Sequence, residues 1–536
     1  MIGLAEYLET EPMGAIVAER ETTLERRKLA SLTRRYAAAK VSSLNSGWTT
    51  QPTVANYEIR DSIRALRARA RQFARDNAHG RTALRKSRIN VIGRKGLQLQ
   101  CQAYKKNLRG GQKQLDTALN ESVELAFWEW SKNPAFCSTS GKLNFVRAQK
   151  LAITQLKRDG EILCQMVQAD NPFGFALRML NCDYLDETYN DTTKDGNRII
   201  MSIEINSDWK PVAYHLTTPT SNITFAPNRE RKRVRVPAEQ MIHAFYVTED
   251  EEQVRGVTSF HAALLNAKHT AGYLESVIVG ARAGASQIAV IEEEYPTDPD
   301  NDPRTQCYAD KTEEEIALMR EPKVDLTPGT ISRLPPGQKM TSWNPNQPNQ
   351  NHPEFFKSLN IQEAAALDLP YFSMSGDMES VNFSSSRVGL HDEREVYLDD
   401  QDFIADSFCT PIFHAWLKSA WISGALTLQP RDFDELRFPQ WNGRGWPLIQ
   451  PDKDVKANID AIKGGIKTPK EVVEEQGKDW QEFLDEYEQT IAEAKEAGID
   501  YQAAAPPANA PAADGSEPDD EPKASDKKKK DKSKSE

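Results

Sequence analysis

At Gly160 the apolar residues of this chain change period. From Phe145 to Arg158 they recur at helical spacing. Beyond Gly160 they fall into short alternating runs at Ile162–Val167, Arg198–Ile205, Pro211–Thr217 and Arg233–Val236, the spacing of strands with one buried face. Lys194-Asp195-Gly196 and Asn206-Ser207-Asp208 separate these runs as turns. The patterns on either side are helical. Helix and strand in separate blocks define an α+β chain, mainly helical with a small β-rich unit at about residues 160–245.

Residues 1–50 read as polar helix with weak punctuation. From Tyr57 the pattern sharpens: Ile59, Ile63, Leu66, Ala70 and Phe73 line one face of an amphipathic helix. Arg60, Arg64, Arg67, Arg69, Arg71 and Arg75 lie off that face, and Arg81, Arg85, Lys86, Arg88, Arg94 and Lys95 follow. Such a run is a solvated or subunit-facing surface, or a contact for DNA or an acidic partner. The acidic balance of the whole chain, net −11, favours the first reading. Residues 112–133 are helical again, with Phe127, Trp128 and Trp130 assigned to the core.

Beyond the β-rich unit a helix is expected over Ser259–Ala285, roughly 40 Å long at 1.5 Å per residue. Its Ala262, Ala263, Ala267, Ala271 and Gly272 suit close packing on a neighbouring helix. Nine prolines then interrupt residues 292–350, with a short helix at Thr312–Arg320 and a strand at Thr330–Leu334. A second helix begins near Pro353 and breaks at Pro370. A polar loop from Ser373 to Ser386 leads into a long helix, Arg387–Ser423, whose Ile404, Phe408, Ile412 and Trp416 form a buried stripe. Residues 452–497 carry a helical pair. Thr468-Pro469-Lys470-Glu471 is a capping box, Asp479 with Glu482 repeats the signal, and Trp480, Phe483, Leu484, Tyr487 and Ile491 face inward. From Ala503 the Ala/Pro, acidic and then Lys-rich composition is that of a disordered tail.

With 536 residues the chain has length for about three domains. No apolar run reaches about 18 residues, so no membrane span is expected. The start lacks a basic segment followed by an apolar one, so no secretory signal is expected either. These features place the chain in a cytosol or in a particle assembled there. A net charge of −11 argues against a protein that coats nucleic acid but permits a passage through which DNA slides. Cys101, Cys137, Cys164, Cys182, Cys307 and Cys409 form no CxxC pair and are assigned as buried free thiols.

Chemistry-bearing motifs are missing from the sequence. No Walker-type phosphate loop occurs; Thr139-Ser140-Gly141-Lys142 lacks the framework, which argues against a packaging motor. There is no G-x-S-x-G elbow, HExxH pair or GxGxxG turn. His391-Asp392 resembles the centre of an HD hydrolase without its companions, and is assigned to a polar helix face. Asp399, Asp400 and Asp402 are assigned to a solvated face, since adjacent helical positions point apart. No catalytic residue, metal site or cofactor is expected.

Several strings, in this order, resemble the portal proteins of lambda-type tailed phages over about residues 50–500. They are Ala126-Phe127-Trp128-Glu129-Trp130 with Cys137 and Gly141, then Arg158-Asp159-Gly160-Glu161. Val236 to Phe245 follows, then Gln253-Val254-Arg255-Gly256-Val257, and Met374-Ser375-Gly376-Asp377 through Phe383-Ser384-Ser385-Ser386-Arg387. The resemblance implies a portal fold. Residues 1–257 would be the wing, 258–291 the first stem helix, 292–350 the clip and 351–371 the second stem helix. Residues 372–386 would be the tunnel loop, 387–425 the long wing helix, 426–500 the crown and 501–536 the tail.

The resemblance also implies a ring, most often of twelve copies, at one capsid vertex of the virion, assembled in the host cytoplasm. Such a ring conducts double-stranded DNA during packaging and ejection. Its partners would be further copies of itself, the terminase large subunit, a head-completion or connector protein, and the major capsid and scaffold proteins, with no membrane. Ser380, Asn382, Ser384, Ser385, Ser386 and Arg387 would face DNA. Glu313, Glu314, Arg320, Lys323 and Arg333 would dock partners on the clip. The competing expectations are a hydrolase using His391, Asp392 and Asp399, and a capsid-associated scaffold or adaptor without a channel.

Overall fold

The computed structural model describes residues 52–105, 114–217, 233–285, 289–293, 312, 338–342, 352–379, 381–447, 449–477 and 480–496. The chain divides into two compact units. One holds residues up to Arg88 and from Trp130 to Ala425; the other holds Ile89–Glu129 and the chain from Leu426.

The first unit opens with α1 (Ala55–Asp76), which buries Ile59, Ile63, Ala70 and Phe73 as the periodicity requires. The Asn77 side chain accepts from His79 N at 2.8 Å and Gly80 N at 3.4 Å, starting α2 (Ala78–Ser87). Helix α3 (Phe145–Asp159) is begun by Asn144, whose side chain accepts from Arg147 N, and ended by Gly160 in the left-handed region.

The strands described pair antiparallel. Strands β1 (Ile162–Gln168), β2 (Phe175–Met179), β3 (Asp191–Thr192), β4 (Arg198–Ile200), β5 (Ile203–Ile205), β6 (Pro211–Thr217), β7 (Arg233–Pro237) and β8 (Met241–Ala244) form two sheets. One has the order β8-β1-β2 and the other β7-β6-β5-β4-β3. Ile203, Ile205, Tyr214, Leu216 and Val236 of the larger sheet share a core with Leu163, Met241 and, from α1, Ile59 and Ile63. Apolar burial of this kind is the main driving force for folding.

The run Arg198–Ile205, expected as one strand, is a hairpin. Met201 and Ser202 turn it with φ of 47° and 72°, so that Ile200 pairs with Ile203. A two-residue turn with both φ positive usually carries Asn or Gly. Met201 and Ser202 are held there by their surroundings: Met201 N donates to Asn190 Oδ1 at 3.0 Å, and Ser202 Oγ donates to the Asp186 carbonyl at 2.9 Å. Strands β2, β3 and β8 are additional to the alternating runs expected of this unit.

Helix α4 (His261–Ala285) packs with α5 (His352–Ala365), the Tyr273 ring stacking on His352 and meeting Phe355 edge-on. Between them, β9 (Ala289–Glu293) and β10 (Gln338–Ser342) form an antiparallel ladder that brings the two ends of the proline-rich excursion together. The helix and strand expected at Thr312–Arg320 and Thr330–Leu334 fall outside the described residues, Thr312 excepted.

The long helix begins earlier than expected. Helix α7 runs Phe383–Ile404, a π-helical turn spans Ala405–Cys409, and α8 runs Thr410–Ile422. Pro411 lacks the N–H for the preceding turn, and its ring crowds the carbonyl four residues back, which the wider turn relieves. Ile404, Phe408, Ile412 and Trp416 remain fully buried across this break. Trp130, Phe145, Phe173 and Phe175 complete the same aromatic core. Trp130 is buried as expected and its Nε1 donates to the Phe175 carbonyl at 3.1 Å, but Trp128 is exposed.

In the second unit, strand Gln98–Gln100 pairs with Gln440–Asn442, and Phe127 meets Trp441 edge-on. The unit contains helices Pro451–Lys463, Pro469–Glu475 and Trp480–Glu496 where a pair was expected. The Thr468 capping box is present, with Glu471 N donating to Thr468 Oγ1 at 3.2 Å and Thr468 N to Glu471 Oε2 at 2.8 Å. Asp479 lies outside the described residues, as do residues 1–51 and the tail from 497. Trp480, Phe483, Leu484 and Ile491 are half-buried, whereas Tyr487 is exposed.

At Gly160 and Gly256, in the first unit, the backbone itself is a packing surface. A Cβ on Gly256 would sit 2.1 Å from the Gly160 carbonyl oxygen. One on Gly160, whose φ is +90°, would sit 2.4 Å from the Val257 carbonyl carbon. Gly160→Ala and Gly256→Ala should each lower stability by about 2 kcal/mol or more. Thermal unfolding of the two variants checks this; unchanged midpoints would contradict it.

Candidate functional site

The polar loop is short. Asp368 adopts φ +55° after α5, Pro370 follows, and α6 (Tyr371–Ser375) ends at Gly376 in the left-handed region. Ser375 Oγ accepts from Asp377 N, and Asp377 Oδ1 accepts from Glu379 N at 3.0 Å. On the other flank of α6, Ser373 Oγ donates to the buried Glu393 carboxylate at 2.5 Å. Tyr397 Oη donates to the same group at 2.7 Å and Lys86 Nζ at 3.2 Å. These contacts fix the loop's base on α7 and α2.

Of the residues expected to face DNA, Ser380 lies outside the described residues. Asn382, Ser384, Ser385 and Arg387 are exposed at the start of α7, with Ser386 partly so. Three of these polar side chains are already engaged in local hydrogen bonds, Asn382 as the helix cap. Asn382 Oδ1 accepts from Ser385 N at 2.8 Å and from Ser385 Oγ at 2.6 Å, and Ser386 Oγ donates to the Phe383 carbonyl at 3.0 Å. Their free hydrogen-bonding capacity is thus smaller than the sequence suggests. The expected clip residues Glu313, Glu314, Arg320, Lys323 and Arg333 all lie outside the described residues.

The strings Arg158–Glu161 and Gln253–Val257 meet in the interior. Glu161 and Arg255 are both fully buried. Arg255 Nε lies 2.9 Å from Glu161 Oε2 and its Nη2 lies 2.5 Å from Oε1, a bidentate pair. Arg67 Nη2 donates to Oε1 at 2.8 Å, and Gly256 N donates to Oε2 at 3.3 Å. His243 Nε2 lies 3.0 Å from Oε2. A carboxylate only accepts, so this ring nitrogen carries the proton. Arg255 also donates to the Met201 carbonyl at 3.2 Å and the Leu185 carbonyl at 3.4 Å, which ties the strained hairpin to the network.

Arg71 extends the network. Its Nε bonds Asp159 at 2.8 Å, its Nη2 bonds Asn181 at 2.8 Å, and Asp183 lies within reach of both Arg71 and Arg67. Burial opposes the charge on Glu161, yet Arg255 and Arg67 hold its carboxyl well below the ordinary range. Thus Arg67 and Arg71, expected on a solvated or subunit-facing surface, are inward-pointing ion-pair partners. Their carboxylates lie about 90 residues or more away in sequence, and no local pattern announces such pairs.

Asp400 is a second correction. Asp399 and Asp402 are exposed as expected, but Asp400 is buried, with Lys157 Nζ at 2.7 Å and the Tyr246 hydroxyl donating at 2.5 Å. Burial pushes its carboxyl up, against the pull of Lys157. His391 and Asp392 are exposed, on the polar face assigned to them. Among the described residues no group of three His, Cys, Asp or Glu side chains has metal-binding geometry. Cys101, Cys137, Cys164, Cys182 and Cys409 are buried free thiols, and burial pushes that of Cys164 up to about 12. Cys307 lies outside the described residues.

Arg255→Met would strand Glu161 with one buried cation fewer and should cost about 3–5 kcal/mol, measured by denaturant unfolding. Glu161 has a folded pKa below its unfolded one. Its contribution is therefore full above about pH 4, the ordinary glutamate range, and is lost as pH falls toward the folded value. Glu204, lowered to about 2 chiefly by its hydrogen bonds from Arg235, has the same sign. Stability should fall with pH below about 4, and Glu161→Gln should flatten that fall while being less stable at neutral pH. An unchanged acid limb in that variant would contradict the assignment.

The sequence profile of the family described as "Phage portal protein, lambda family" matches residues 42–401. A "Probable portal protein" of Halomonas phage phiHAP-1 is 29% identical over 481 residues, 88% of this chain and 89% of that protein. Among solved structures, a chain in the neck of an empty gene transfer agent particle is 13% identical. It aligns with a TM-score of 0.40 over 77% of this chain and 92% of its own. A portal protein of the HK97 family from Corynebacterium diphtheriae is 9% identical, with a TM-score of 0.25 over 61% of this chain and 84% of its own. On the extent of the profile match, this chain belongs to the lambda family of phage portal proteins.

Proposed function

We propose that this chain assembles into a closed ring, with twelve copies the expected number, at one vertex of the capsid. The ring conducts double-stranded DNA during packaging and ejection. It serves as a structural, non-catalytic platform for the terminase large subunit and a head-completion or connector protein, and it meets the major capsid and scaffold proteins.

The observation that carries this reading is the apolar side of the helices assigned as the stem, which stands exposed in the single chain. Leu265, Ile278 and Val279 of α4 are exposed in the single chain, as is Ile361 of α5. Of the small residues singled out in α4, Ala263 and Ala267 turn inward, whereas Ala262, Ala271 and Gly272 are exposed, with open space around Gly272. A helix apolar on more than one side needs a second cover, and small residues let another helix approach closely. A heterologous contact of this kind closes when the rotation per copy divides the circle.

In this reading the excursion between β9 and β10 is the clip, with Glu313, Glu314, Arg320, Lys323 and Arg333 meeting partners. The loop ahead of α7 faces the channel. Hydroxyls already bonded to their own backbone grip phosphates weakly, which suits a sliding contact; Arg387 adds a charge per copy.

Light scattering and negative-stain imaging of the purified chain should give a ring with a central hole, near 720 kDa for twelve copies of about 60 kDa. Leu265→Asp with Val279→Asp should shift the protein to monomers without unfolding it, as read by circular dichroism. Filaments or a compact dimer from the unaltered chain would overturn the proposal. The adaptor alternative predicts no closed ring.

A further inference from the structure

Between Ala55 and Lys95 the chain carries twelve Lys and Arg against three Asp and Glu, although its net charge is −11. The structure sorts these cations. Arg67, Arg71 and Lys86 turn inward to carboxylates. Arg81, Arg85 and Arg88 do not: spaced i, i+4, i+7, they form an exposed stripe along α2 and the residue after it. Helix α2 packs on α3, which contributes the exposed Arg147 and the partly exposed Lys150. Among the described residues, none of these five cations has a carboxylate partner within ion-pair distance. The Lys150 ammonium is held below the ordinary lysine range, by burial first and then by the charges of Arg88 and Arg147. Like charges are therefore gathered here with no carboxylate of the described residues paired to them.

We infer that Arg81, Arg85, Arg88, Arg147 and Lys150 form a binding surface for the phosphate backbone of duplex DNA. It stands on elements other than the loop assigned to the channel. Two observations favour a polyanion over an acidic protein. Protein interfaces anchor on buried aromatic or aliphatic groups, whereas no large apolar side chain of α2 or α3 is among the exposed ones, Ile89 just beyond Arg88 being the nearest in sequence that is. Four of the five cations are arginines, whose forks match phosphate oxygens. The chain's overall acidity is no obstacle, because charges beyond about 8 Å are largely screened at physiological salt.

The inference rests on the conduit reading only for the source of the DNA. Assembled full-length protein should bind a short fluorescent duplex without sequence preference, followed by anisotropy across a salt series. With five phosphates neutralised, the log–log slope should include about −4.5 from this surface, since each contact contributes about −0.9. Replacing all five residues with Gln should make the slope shallower by about that amount and weaken binding at least tenfold near 0.1 M salt. Replacing the four arginines with Lys should preserve most of the slope. An unchanged slope in the Gln variant would overturn the inference, as would loss of rings in that variant, which would make the surface a subunit contact. Displacement of the duplex by polyglutamate at equal charge would also overturn it. Rings that fail to bind duplex sink this inference alone, while duplex binding by a chain that forms no ring sinks the conduit reading alone.

Discussion

The bidentate contact between Glu161 and Arg255 is the point through which the first unit is organised. Two ions are withdrawn from water there, which is costly unless each partner atom is satisfied. Glu161 meets that condition with Arg67, His243 and the Gly256 amide, and Arg255 with the carbonyls of Leu185 and Met201. The contact can form because Gly160 and Gly256 let two backbone segments touch. Residues that follow directly then carry the geometry outward. Thr258 Oγ1 and Ser259 N both donate to the Lys157 carbonyl at 3.1 Å, at the last turn of α3. The departure of α4 is thereby fixed by the same cluster that holds the sheets together.

Much of this architecture is legible in the sequence because it depends on period and local chemistry. The Ile59–Phe73 face, the Ile404–Trp416 stripe and the Thr468 capping box need only neighbours three or four residues away. The Met201–Ser202 hairpin was invisible for the opposite reason. Its alternating Ile199, Met201, Ile203 and Ile205 describe a continuous strand, and its turn lacks Gly or Asn. The contacts that hold it come from outside the run: Asn190 and Asp186 more than ten residues before the turn, and Arg255 more than fifty after it. Arg67, Arg71 and Asp400 were misplaced on the same grounds: an ionisable residue on a helix is assigned to solvent unless its distant partner is known. At the loop before α7, composition suggested hydroxyls open to a ligand, whereas Asn382 and Ser385 spend that capacity on the helix terminus.

These corrections sharpen the functional picture. An acidic chain suits a passage that DNA traverses without sticking, and weakly bonding hydroxyls at the loop suit it further. The basic stretch from Arg60 to Lys95 is divided by the fold: Arg67 and Arg71 turn inward and stabilise the β unit, while Arg81, Arg85 and Arg88 form an outward stripe that Arg147 and Lys150 of α3 extend. In the proposed reading, holding DNA and letting it slide fall to different elements, the α2–α3 stripe and the loop ahead of α7.

The central claim is that α4 and α5 are covered by neighbouring copies around a closed ring. A cryo-electron microscopy reconstruction of the purified assembly tests it most directly. The account predicts a closed ring in which Leu265, Ile278 and Val279 of each copy are buried against the next. A reconstruction that leaves these residues facing solvent, or an open helical arrangement of copies, would contradict it.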